Sequence, residues 1–202
     1  METTLLITAF VTLFVVIDPI GLAPIFVALT QGTEPRERRA IAMRACAMAV
    51  GILALFGLFG EALLSFIGIS LPAFRIAGGL LLFLTALDML FERRTKRRDD
   101  QAEERPDPSV FPLAIPLTAG PGAIATMILL VGQATTPAET AMVYAMMLAV
   151  IALAFLLFLA AGLIEHALGR TGITVVTRLL GMLLAALSVQ FVIDGLKGSG
   201  LF

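Results

Sequence analysis

The residues with the clearest chemical potential are a carboxylate and two clusters of helix breakers, all set inside long apolar runs. Asp18, in the stretch DPIGLAPIF, lies about 15 residues into the first run, near 22 Å of helical rise from its start. A carboxylate at that depth in hydrocarbon is costly to hold and so marks a functional position. Its oxygens can take up a proton, coordinate an ion, or cap a half-helix that begins at Pro19, and these roles are compatible. Pro19, Gly21 and Pro24 follow it, and Gly120, Pro121 and Gly122 recur in PLTAGPGAIAT. Proline removes a backbone donor and glycine accepts irregular dihedrals, so each cluster interrupts its helix. A half-helix amino terminus exposed there attracts an anionic group, such as the carboxylate of a small substrate. The same residues can instead do no more than bend packed helices. Thr118 and Thr126 flank the second cluster, and their hydroxyls either meet a ligand or bond back to their own helix carbonyls.

The other ionisable residues read as structural. Glu61 and Arg75 flank one short loop and are expected to form an ion pair, while Arg178 reaches toward headgroups. Asp88, Glu165 and Asp194 fall near the ends of apolar runs, and Gln190 is expected to hydrogen-bond across the bundle. Gly78, Gly79 and Gly181 suit close helix packing. Cys46 is the only cysteine and His166 the only histidine. That excludes an internal disulfide and argues against a zinc site, so no metal and no cofactor is expected. Nucleotide-binding loops are absent, as are a nucleophile with its base and a paired intramembrane acid, so an enzyme is not expected. No basic face for nucleic acid is evident either.

The elements that must position these groups follow from composition. Of 202 residues 59% are hydrophobic and 14% charged, and the mean hydropathy is +1.00, outside the range of soluble domains. Apolar stretches at roughly 4–30, 45–66, 73–91, 112–132, 141–164 and 174–196 are each long enough to cross a bilayer. The first is read as a retained span rather than a cleaved signal, since METTLLITAF has no basic lead-in. The short segment at 68–72 requires spans two and three to form an antiparallel hairpin, and that at 133–139 does the same for four and five. Arg36, Arg38, Arg39 and Arg44 follow span one, Arg93 to Arg105 follow span three, and Arg170 and Arg178 follow span five. By the positive-inside rule these loops are cytoplasmic and both termini lie on the other side. Residues 93–110 form a charged, proline-bounded cytoplasmic linker between a first half, 1–92, and a second half, 111–202. Asp18-Pro19 and Gly120-Pro121 sit at corresponding positions of the halves, and Arg75-Ile-Ala-Gly78 corresponds to Arg178-Leu-Leu-Gly181. Three spans per half make the second copy inverted. The expected fold is therefore an all-α integral membrane protein of six transmembrane helices, two inverted three-helix repeats with helices 1 and 4 broken.

DPIGLAPIF, EPRERRAI, FRIAGGLLLFLTA, PLTAGPGAIAT and RLLGMLLAALSVQFVIDG, taken in order, resemble the MarC family of bacterial inner-membrane proteins. The resemblance covers essentially the whole chain. It implies a six-helix protein related to the lysine-exporter superfamily, some of whose members are described as neutral amino-acid transporters. Many members carry Asn after the glycine of the first motif; here Leu22 stands there, which implies a different or more apolar solute. The leading expectation is a secondary transporter or exporter of a small neutral or zwitterionic solute such as an amino acid, its partners being that solute and membrane lipids. The substrate site is placed at the two breaks and Asp18 is the coupling residue. A membrane scaffold or passive channel is the alternative, and a dry interior with unbroken first and fourth helices would favour it.

Overall fold

The computed structural model describes residues 2–91 and 107–200. The charged segment 93–106, most of the expected linker, lies outside the described residues. Within them the chain forms α1 (Glu2–Ile17), α2 (Pro19–Leu29), α3 (Pro35–Phe66), α4 (Leu71–Leu90), α5 (Ser109–Thr118), α6 (Pro121–Gln133), α7 (Pro137–Leu159) and α8 (Ala161–Gly198). Proline stands in the first two positions of five of these helices, where its missing N–H costs nothing. Side chains cap several starts. Ser70 accepts from the Ala73 N–H, and Thr136 from the Glu139 N–H. Glu139 in turn accepts from the backbone and hydroxyl of Thr135 at 2.7 and 2.8 Å, closing a reciprocal cap.

Five stretches are long and apolar enough to cross a membrane: Leu5–Leu29, Pro35–Phe66, Leu71–Leu90, Pro137–Leu159 and Thr171–Gly198. The pair α5 and α6, bent by 55°, supplies a sixth. The six apolar runs of the sequence are therefore all present. α3 starts ten residues earlier than its apolar run, because Pro35 opens a helix that carries the arginines before entering the hydrocarbon. α8 turns sharply at Gly169 (φ 61°, ψ 174°), so its first two turns are set apart from the span that follows.

The halves interleave instead of packing separately. α4 lies along α8, α1 and α2 pack on α7, and α5 and α6 pack on α3. Consecutive helices joined by the short loops, α3 with α4 and α6 with α7, touch little. The tight hairpins read from the loop lengths are thus corrected: the loops are short, but the helices they join diverge to meet partners from the other half. The α4–α8 crossing is the closest. A Cβ at Gly79 would stand 2.8 Å from the Ser188 carbonyl oxygen, so only glycine lets the two backbones approach this far.

Candidate functional site

The first break is centred on Asp18. Its N–H still donates to the Phe14 carbonyl at 2.9 Å, but Pro19 brings no N–H to the Val15 carbonyl, so the ladder stops. Asp18 adopts φ 54°, ψ 62° and is the one non-glycine residue at positive φ among the described residues. Asp is one of the few side chains that tolerates this left-handed geometry, because its short polar group bonds locally. Here Oδ1 accepts from the Gly21 N–H at 3.1 Å, capping α2. The capping role left open by the sequence is thus realised. The carboxylate is also fully buried, and α1 and α2 run on as one span, so the break interrupts hydrogen bonds without a large bend.

The second break is built differently. α5 is wide-turned: Leu113 N–H reaches the Pro108 carbonyl and Ala119 N–H the Ala114 carbonyl, five residues back in each case. Phe111 and Ile115 have extended dihedrals within it, each preceding a cis proline. Ala119 and Gly120 leave helical geometry, and α6 restarts at Pro121 with no side-chain cap. The two half-helix termini, alike in sequence, therefore differ in charge. At α2 the Asp18 carboxylate meets the partial positive end, whereas at α6 that end carries no capping side chain. Pro121 is exposed and Gly120 and Gly122 are half-buried, while Pro19 is buried and Gly21 and Pro24 are half-buried.

The breaks are brought together. A Cβ at Gly122 would lie 3.2 Å from Val16 Cγ1, two residues before Asp18, and 3.8 Å from the Thr85 hydroxyl of α4. α1, α4 and α6 thus converge where both helices are interrupted. The threonines divide: Thr118 donates to the Leu113 carbonyl at 2.8 Å, and Thr85 to the Leu81 carbonyl at 3.0 Å. Thr126 is fully buried with its Oγ1 unpartnered, and so is Thr12 on α1. Such a hydroxyl is expensive unless something pairs with it. Thr12 and Thr85 did not stand out in the sequence, where the only available signal was a lone hydroxyl in an apolar run.

Two expectations fail. No ion pair joins Glu61 to Arg75: Glu61 lies on the exposed face of α3, and Arg75 Nε is buried without a partner on α4, which diverges from α3. Gln190 is exposed and donates along its own helix to Asp194 Oδ1 at 2.8 Å, not across the bundle. An ion pair does join Arg44 Nη2 to Asp107 Oδ1 at 3.6 Å, tying α3 to the residues that lead into α5. Asp107 also accepts from the Ser109 hydroxyl at 2.6 Å and its N–H at 3.0 Å. These bonds, with Arg44 adding to them, hold its carboxyl below the ordinary value of 3.8. Among the described residues no three His, Cys, Asp or Glu side chains gather as metal ligands would.

Comparison with known proteins agrees with this architecture. The family model described as "MarC family integral membrane protein" matches residues 3–199. A UPF0056 membrane protein of Methanocaldococcus jannaschii is 36% identical, covering 98% of this chain and 99% of its own. The UPF0056 membrane protein YvbG of Bacillus subtilis is 39% identical, covering 98% and 97%. The UPF0056 inner membrane protein YhgN of Escherichia coli is 33% identical, covering 95% and 96%. No solved structure matches the chain.

Proposed function

The chain belongs to the MarC family of integral membrane proteins, and from that premise we propose that it is a proton-coupled secondary transporter or exporter of a small neutral or zwitterionic solute such as an amino acid. The observation that carries this reading is the fully buried Asp18 at a helix break, packed close to a second break that opens with an uncapped helix terminus. Irregular backbone at membrane depth is tolerated only where protein or a wet cavity satisfies it, and paired broken helices are how secondary transporters build a midplane site. In this reading the α6 terminus takes the solute carboxylate and the unpartnered Thr126 hydroxyl adds a hydrogen bond. Asp18 couples: protonation would weaken the cap on α2 and so link a proton to helix geometry. Pro19, Gly21, Pro24, Gly120, Pro121 and Gly122 shape the breaks, and Thr118 holds α5 in place.

The packing supports reading 1–92 and 111–202 as inverted repeats. Exchanging α1 with α5, α2 with α6, α3 with α7 and α4 with α8 maps the principal packing pairs onto one another. The basic loops support a plasma-membrane topology with both termini outside the cytoplasm.

Reconstituted into proteoliposomes, the protein is expected to move at least one small neutral amino acid faster under a pH gradient than without it. Asp18→Asn should insert and fold normally yet lose the gradient dependence. Absence of flux for every amino acid under every gradient would replace this reading with the scaffold. An unchanged pH profile in Asp18→Asn would remove the coupling role alone.

A further inference from the structure

Arg38, in the first turns of α3, has its Nε and Nη2 out of contact with solvent and without any hydrogen-bond partner. A guanidinium offers only donors, five N–H groups in a fixed fork, and so it can be satisfied only by acceptor oxygens. Among the described residues none supplies one. The group is nevertheless held in place. Its Cζ stands 5.2 Å from the centroid of the Phe26 ring at the end of α2, and Phe26 stacks on Phe158 at the end of α7, 4.9 Å away and 13° from parallel. Both rings are fully buried. An aromatic face attracts a cation without using any of its N–H groups, so the stack positions the fork and leaves its hydrogen-bonding capacity unspent.

The surroundings favour an anion. Arg36 and Arg39 are close by on the same helix and the partial positive end of α3 adds to their field, while the exposed carboxylates Glu34 and Glu37 of the same turn offset part of it, leaving the three arginines in excess. The residue as a whole is half-buried, so part of it stays open at the end of the bundle where α2 and α7 end and α3 begins, and an oxyanion arriving there would displace the packing over Nε and Nη2. The other basic residues of this loop need no explanation beyond topology. Arg38 does, because a mere topological arginine would extend its head into water.

We propose that Arg38, set on the Phe26–Phe158 stack, is a binding site for an oxyanion, either the phosphate of a lipid headgroup or the carboxylate or phosphate of a free solute. A fork of this kind binds such groups through two parallel charge-assisted hydrogen bonds. The inference does not depend on the transport reading.

The test uses the full-length protein purified in a phosphate-free sugar detergent. Its thermal unfolding is followed while inorganic phosphate, acetate or dihexanoylphosphatidylglycerol is titrated in at ionic strength matched with sodium chloride. The wild type should shift upward with at least one probe. Arg38→Gln should lose the response, and Arg38→Lys, which keeps the charge but not the fork, should need about tenfold more probe. Lys197→Gln, an exposed cation in the last turn of α8 that the site does not use, should respond as the wild type does. A shift with the lipid alone assigns the headgroup, and a shift with phosphate or acetate assigns a free oxyanion. If Arg38→Gln does not fold, Arg38→Lys and Phe26→Leu carry the comparison. No shift of the wild type beyond the chloride control, or equal shifts in wild type and Arg38 variants, would overturn the proposal.

Discussion

The Asp18 carboxylate leans over the α-carbon of Gly21 while accepting its N–H at 3.1 Å, so that any side chain at position 21 would overlap the carboxylate. The cap on α2 and the absence of a Cβ three residues later are one feature. Gly21→Ala should therefore displace the cap and lower stability by about 1–2 kcal/mol, the usual cost of a lost amino-terminal cap. Asp18→Ala should cost at least as much, since it loses both the cap and the local bonding that makes the left-handed geometry tolerable. Asp18→Asn keeps an acceptor oxygen and tolerates that geometry, and should unfold near the wild-type temperature. Thermal unfolding of the purified variants orders the three.

The hydroxyls of Thr12 and Thr126 are buried and unpartnered, whereas that of Thr118 is bonded to the Leu113 carbonyl. Replacement by the isosteric Val should separate them. Thr118→Val is expected to destabilise by about 1 kcal/mol, and Thr12→Val and Thr126→Val to be neutral or stabilising in the absence of solute. Under the transport reading Thr126→Val should nonetheless slow solute flux. Stability and flux measured on the same preparations give the answer, and a Thr126→Val variant that is both destabilised and fully active would contradict it.

Gly79→Ala would drive a methyl to 2.8 Å from the backbone oxygen of Ser188, a group that cannot swing aside as a side chain can. The α4–α8 crossing must open, at a cost of about 1–3 kcal/mol by comparison with overpacked cores. Ala at Gly51, where no atom lies within 4 Å of the added carbon, should be neutral or slightly stabilising. Melting temperatures of the two variants should differ by several degrees, roughly what such a difference gives in a domain of this size.

Asp107 gives the pH dependence its sign. Its carboxyl is held below 3.8 in the folded chain by the Ser109 hydroxyl, the Ser109 N–H and Arg44. A depressed carboxyl contributes stability above its unfolded value that fades as pH falls through the folded one. The difference in melting temperature between wild type and Asp107→Asn should thus be constant at neutral pH and shrink below about pH 4. Because the pair is exposed the difference should be small and should diminish further in salt.

Much of this was legible in the sequence for a definite reason. Hydrocarbon imposes one requirement everywhere, that backbone groups be satisfied within the segment, so runs of apolar residues mark spans without knowledge of their neighbours. The positions of the breaks were equally local, since a proline at 19 or 121 lacks its N–H whatever surrounds it. By itself, then, the sequence determined the six spans, the interruptions at Asp18-Pro19 and Gly120-Pro121, and membership of an integral membrane family. Partner choice depends on distance, and only the tertiary structure decided it. It sent α3 and α4 apart and so left Glu61 and Arg75 unpaired, laid α4 against α8 through Gly79, and set Gly122 beside Val16 so that the two breaks share one place. It also set Arg38 onto Phe26 of the preceding helix, because burial of a guanidinium is settled by a ring that is itself fixed by Phe158, from a helix distant in the chain.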